Sequence, residues 1–124
     1  MAKELPLHLQ KGITAEQRAL DYLLSSGLTL HQRNYRSPYG EIDLIMVDQK
    51  TESIVFVEVR YRNNRRFGGP AESVTHDKQK KLIASAEHFR QRNRQLGQRA
   101  CRFDVVSICG GVDDGSLQWY QNAF

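Results

Sequence analysis

Apolar residues recur at helical spacing near the start of the chain. Ile13, Ala19, Leu20, Leu23 and Leu24 form a stripe that predicts a first helix. Thr14-Ala15-Glu16-Gln17 has the capping-box pattern, which places the helix start at Thr14, and Gly27 marks its end. Residues 1–11 carry no periodicity and are expected to be a flexible N-terminal tail, leaving 12–124 as a single domain. Residues 28–35 predict a first strand, closed by a turn at Ser37-Pro38-Tyr39-Gly40. Two β-rich runs, 41–47 and 54–60, flank a polar connection and predict a hairpin. Residues 61–70, rich in Arg, Asn and Gly, are expected to be a flexible basic loop. Thr75 then caps a second helix running to about Arg94, with Leu82, Ile83, Ala86 and Phe89 toward the core and Gly97 in the break after it. Residues 102–108 and 117–120 predict the last strands. The order α-β-β-β-α-β-β implies an α/β domain: a mixed central sheet of about five strands flanked by two main helices.

The hairpin carries the candidate chemistry. Ile54, Phe56, Glu58 and Arg60 share one face of its second strand, and Val55, Val57 and Val59 share the other. With both faces largely apolar, that strand is expected to be central, and Glu58 is then an acid inside a core strand that needs a partner. On the first strand Glu41, Asp43, Ile45 and Val47 face one way, and Ile42, Leu44 and Met46 the other. A turn centred between Lys50 and Thr51 opposes Val47 to Ile54, Ile45 to Phe56, Asp43 to Glu58 and Glu41 to Arg60. Two facing carboxylates repel. Either one is protonated, or a cation neutralises them, or Arg60, Arg62 or Arg36 pairs with them. An all-oxygen ligand set suits Mg²⁺ or Mn²⁺ and not zinc. Glu16 lies in the apolar stripe of the first helix and points toward the sheet. It is either a third oxygen ligand or an ordinary acid in a helix's first turn.

Charge adds a second clue. The formal net charge of +4 conceals an asymmetry: between Arg60 and Arg102 there are twelve Lys/Arg against three Asp/Glu, and elsewhere six against eleven. A basic stretch of this kind is either a nucleic-acid surface or a solvated helix face plus a loop. Arg36, Arg62, Arg65, Arg66, Lys78 and Lys81 are the candidate phosphate contacts, and Tyr61 and Phe67 are candidate stacking partners. No apolar run is long enough for a membrane span, and residues 1–10 lack a secretion-signal pattern. Cys101 and Cys109, without a C-x-x-C spacing, are expected to be reduced thiols in a cytoplasmic protein. The four histidines show no zinc-hydrolase spacing.

Several motifs in order resemble the YraN-like bacterial proteins. They are Gly40-Glu41-Ile42-Asp43-Leu44-Ile45, Phe56-Val57-Glu58-Val59-Arg60-Tyr61-Arg62 and Arg102-Phe103-Asp104-Val105-Val106. Asn34, Arg36, Gly68, Lys78 and Lys81 accompany them, so the resemblance spans residues 12–124. That family is similar to the restriction-endonuclease-like nucleases, distantly to the Holliday-junction resolvases. The resemblance implies that fold and a D-(x)n-E-x-K site carried by Asp43, Glu58 and position 60, with Glu41 beside it. It further implies that Glu16 matches the helix-1 acid of the resolvases, that Mg²⁺ or Mn²⁺ is the cofactor, and that branched or structured DNA is the substrate. A homodimer is compatible with the dimeric resolvases. Position 60 departs from the pattern: arginine stays protonated and cannot act as a general base, although it can clamp a phosphate. Lys78 is the substitute available in the sequence. A metal-dependent endonuclease, a non-catalytic nucleic-acid-binding module of the same fold, and a protein-interaction factor are therefore the competing functions.

Overall fold

The computed structural model describes residues 5–62 and 74–124. Helix α1 (Leu7–Ser25) leads into β1 (Leu28–Ser37), β2 (Gly40–Asp48) and β3 (Ile54–Arg62). Helix α2 (His76–Arg92) and the short α3 (Arg94–Gly97) then cross to β4 (Cys101–Cys109), and β5 (Ser116–Tyr120) closes the fold. The strands lie in one sheet in chain order, antiparallel except for the β3–β4 pair. Only that parallel pair needs a crossover, and α2 supplies it. The expected α/β architecture with a central β3 is the observed one.

Each face of the sheet is covered by one helix. Ala19, Leu20 and Leu23 of α1 pack on Leu44, Met46, Val55, Val57 and Val106. Leu82, Ala86 and Phe89 of α2 pack on Ile42, Ile45, Ile54, Phe56 and Val105. Phe89 anchors the second layer, meeting Tyr35 and Phe56 edge-on at centroid distances of 5.3 and 5.9 Å. Thr75 caps α2 as expected, its hydroxyl accepting the Lys78 N–H at 3.2 Å.

Three expectations are corrected. Helix α1 starts at Leu7 behind Pro6, not at Thr14. Proline's fixed φ suits a helix entry, and the Thr14 hydroxyl instead bonds back to the Gln10 carbonyl inside the helix at 2.9 Å. Ile13, Leu24 and Ile83, counted toward the core, are 54%, 45% and 50% exposed. Ala15 and Ser85 take the buried positions, because small residues let the helices approach the sheet closely. The third correction bears on the site. Ile42 and Leu44, two residues apart, should share a face, yet Ile42 packs under α2 and Leu44 under α1.

The Arg102-Phe103-Asp104 run is structural. The buried Asp104 carboxylate accepts from Arg102 Nε at 3.1 Å, Trp119 Nε1 at 2.9 Å and the Asn122 N–H at 2.9 Å. Arg102 Nη1 reaches on to Asp48 at 2.9 Å. One aspartate thus ties β4 to β5, to the residues after it, and to the end of β2.

Phe89→Ala is expected to cost about 3–5 kcal/mol of unfolding free energy, and Ile83→Ala under about 1 kcal/mol. Urea unfolding of the two variants checks the layer assignment.

Candidate active site at the β2–β3 break

The register of the hairpin is the expected one through Val47↔Ile54, Met46↔Val55, Ile45↔Phe56 and Leu44↔Val57. The pairing stops there, one step short of the expected Asp43–Glu58 and Glu41–Arg60 pairs; Asp43 and Glu58 still line one cavity, whereas Arg60 turns to Glu58 and not to Glu41. The Val59 N–H donates to Asp43 Oδ2 at 2.8 Å, a side chain taking the place of a backbone acceptor. Across the other edge of β2, Arg33 pairs with Leu44 and Tyr35 with Ile42, so Asn34 lies opposite Asp43. Asn34 has φ +51°, a left-handed conformation that asparagine tolerates better than most residues. Both strands therefore break alternation at the same level. The break turns Asp43 into a position reached from both faces of the sheet.

Two cavities meet there. On the α2 side, a cavity of about 480 Å³ is lined by Glu41, Asp43, Glu58, Thr75, Lys78 and Lys81, among others. On the α1 side, a cavity of about 600 Å³ includes Glu16, Arg33, Asn34, Asp43 and Tyr61 in its walls. Glu58 is 4% exposed, and its Oε1 takes the Lys78 ammonium at 2.9 Å and Arg60 Nη1 at 3.8 Å. Lys78 belongs to the first turn of α2, and the Thr75 cap fixes where that turn begins. Glu41 faces Arg36 across the β1–β2 ladder, with Nε–O at 4.0 Å.

The electrostatics follow from burial. The Asp43 carboxyl is pushed up to about 8, first by burial and then by the neighbouring Glu58 charge, against the Val59 hydrogen bond that favours ionisation. Asp43 thus holds a proton at neutral pH while nothing more cationic adjoins it. Glu16 is also raised, mainly by burial, with Glu41 adding to the effect and Arg33 opposing it. Its Oε1 is buried without a hydrogen bond, and the nearest Arg33 nitrogen is 3.7 Å away.

The sequence-derived residues therefore divide. Asp43, Glu58, Lys78 and Lys81 share one cavity, and Arg60 reaches Glu58. Glu16 lines the opposite cavity, close enough for its charge to raise Asp43. Among the described residues no three His, Cys, Asp or Glu side chains form a group able to hold a metal ion, so the expected three-carboxylate set is not assembled. Arg65 and Arg66 lie outside the described residues. Sequence reasoning missed Asn34 as the partner of the break, although an asparagine opposite an acid in a β-rich run is the available signal. It also missed Thr75 as the residue that positions Lys78.

Asp43 fixes a pH dependence. Its pKa is near 8 in the folded state against an ordinary 3.8. Between those values the native state holds a proton that the unfolded chain has lost, so this contribution to stability declines as pH rises. The slope is that of a single bound proton, on the order of 1 kcal/mol per pH unit. Asp43→Asn is expected to remove that slope: its stability advantage over wild type grows from about pH 4 and levels off above pH 8. Urea titrations in EDTA across that range measure the difference, and a pH-independent gap would refute the assignment.

Comparison with known proteins agrees with the motif resemblance. The family model described as "Uncharacterised protein family UPF0102" matches residues 15–108, a span that takes in Glu16, Asp43, Glu58 and Lys78. A UPF0102 protein of Nitrosococcus oceani is 49% identical over 117 residues, covering 94% of this chain and 93% of that one. A Saccharophagus degradans relative is 46% identical over 117 residues, with 94% of each chain covered. One from Psychromonas ingrahamii is 46% identical over 125 residues, with 98% of each covered. The chain belongs to the UPF0102 family, the YraN-like proteins.

Proposed function

We propose that the protein is a metal-dependent endonuclease that hydrolyses the phosphodiester backbone of DNA, with selectivity for branched or otherwise structured substrates. The observation that carries this reading is an acid pair, the half-buried Asp43 with the buried Glu58, at a cavity wall where Lys78 Nζ stands 2.9 Å from Glu58. Phosphodiester hydrolysis needs negative charge held beside positive charge, within reach of a phosphate.

The donor chemistry fits a hard cation at two residues. Asp43 and Glu58 offer only oxygen, and the burial and neighbouring charge that raise the Asp43 carboxyl are a penalty that a bound cation would relieve. These two side chains would hold Mg²⁺ or Mn²⁺, with Glu16 and Glu41 as nearby acids that add to the negative field. When bound, the ion supplies an acidified water and charge stabilisation at the scissile phosphate.

The remaining roles belong to the chain itself. Lys78 provides, from α2, the ammonium that the D-(x)n-E-x-K pattern places two residues after the glutamate. It screens charge developing on the phosphate. Arg60, always protonated, clamps a phosphate oxygen and does not move protons. Lys81, on the same cavity wall, Arg36, in the wall of the α1-side cavity, and Arg62, at the end of β3, hold the flanking backbone. Selectivity for structured DNA, and a homodimeric form, rest on the likeness to resolvases.

A second reading, a non-catalytic binding module, is favoured by Arg60 at the lysine position, where its Nη1 lies 3.8 Å from Glu58 Oε1. Cleavage assays on four-way junction, single-stranded and duplex DNA with Mg²⁺, Mn²⁺ or EDTA separate the two. Metal-dependent cleavage is expected, lost by about 10²-fold or more in Asp43→Asn and Glu58→Gln. Lys78→Met is expected to fall comparably, while Arg60→Lys keeps or raises activity. Binding in EDTA with no cleavage in either metal would overturn the nuclease reading in favour of the binding module. Neutralising Arg36, Arg62 and Lys81 together is expected to weaken binding and lower the salt slope by roughly two to three.

A further inference from the structure

The cationic cavity does not end the features of the α2 face. The Ser37–Gly40 turn rests on the helix beside it. A side-chain carbon at Gly40 would lie 3.7 Å from Ser85 Oγ and 3.9 Å from Lys81 Cβ, and Ser37 Oγ meets Ser85 Oγ at 2.8 Å. Beyond that contact lies a second cavity, about 280 Å³, lined by Tyr39, Ala84, Glu87, His88 and Gln91. It is two turns of α2 from Lys81, roughly 10 Å along the axis.

Its composition differs from that of the first. Tyr39 is 55% exposed although it sits on a pinned turn, so its ring is presented to solvent on a fixed support. His88 forms the other aromatic wall, edge-on to Tyr39 at 6.4 Å. That imidazole is held in place by the buried Tyr35, whose hydroxyl lies 2.5 Å from His88 Nδ1. Glu87 adds a carboxylate, which repels phosphate but accepts hydrogen bonds from N–H groups. Gln91 adds both a donor and an acceptor.

We propose that the cavity between Tyr39 and His88 is a nucleobase subsite, which stacks one unpaired base of the strand whose phosphates lie over Lys78 and Lys81. The proposal rests on the nuclease reading for the placement of those phosphates. A base has the flat apolar face that Tyr39 offers to stack on, and the polar edge that Glu87 and Gln91 can bond. The pinned turn fixes the distance between phosphate and base. A continuous duplex keeps its bases stacked inward, so the subsite discriminates for single strands, flaps and junction arms. This is a physical source for structure selectivity that requires no sequence-specific contact.

The test uses the full chain in EDTA with a short single-stranded oligonucleotide, read by anisotropy, and with 2-aminopurine at successive positions, read by fluorescence. One position is expected to change its fluorescence on binding, and an abasic residue there to weaken binding about tenfold. Tyr39→Ala is expected to weaken the intact oligonucleotide by a similar factor and to lose the fluorescence change. Tyr39→Phe, which keeps the ring, restores both. If abasic substitution at every position, or Tyr39→Ala, leaves affinity unchanged, the subsite is overturned and the nuclease reading stands. Absence of any binding at low salt overturns both. A fluorescence change without cleavage in Mn²⁺ strikes the nuclease reading alone.

Discussion

The site depends on one constraint: a carboxyl group placed in a sheet where it cannot ionise at little cost. Asp43 sits half-buried where β2 stops alternating, next to the buried Glu58. A buried carboxylate beside another is unfavourable unless a proton or a cation resolves the repulsion. The surrounding geometry can be read as the means of holding that arrangement. The Val59 N–H fixes one oxygen of Asp43, Asn34 accommodates the backbone break, and α2 brings Lys78 onto Glu58. A packed apolar sheet on either side keeps the polar group from relaxing away.

The cost is met by the rest of the molecule. Two separate apolar layers, one under each helix, flank β3, and the Asp104 clasp fastens the far end of the sheet. These are regions where sequence pattern and structure agree. Among the described residues three non-glycine positions take left-handed backbone, Asn34, Glu52 and Asn122; Glu52 and Asn122 lie outside the strands, whereas Asn34 lies inside β1 beside Asp43, where the surrounding sheet holds it.

Much of this was legible in the residues. Strand and helix order, the central position of β3 and the hairpin register follow from period-two and period-3.6 patterning and a symmetric connection. The start of α1 did not, because residues 7–12 add nothing to the apolar stripe and the capping pattern at Thr14 is a more familiar signal than a proline entry. The candidate site was legible as a pair, Asp43 and Glu58. The separation of Glu16 into the opposite cavity was not, since alternation predicts faces only while the strand stays regular. Lys78 was visible as a basic residue, but its closeness to Glu58 depends on how α2 docks, which spacing along one chain does not encode.

The simple strand order has a consequence for assembly. Strands β1 to β3 form a meander of neighbours, whereas β3 joins β4 only across a long crossover, pairing Ile54 with Cys101. Ring closure over a short segment sacrifices less chain entropy than closure over a long one. The hairpin that brings the two acids together closes over a short connection, whereas the helix bearing their counter-charge belongs to the long crossover. The acid pair and the cation that offsets it therefore rest on contacts of very different chain separation, and anything that loosens the α2 crossover removes the relief while leaving the pair in place.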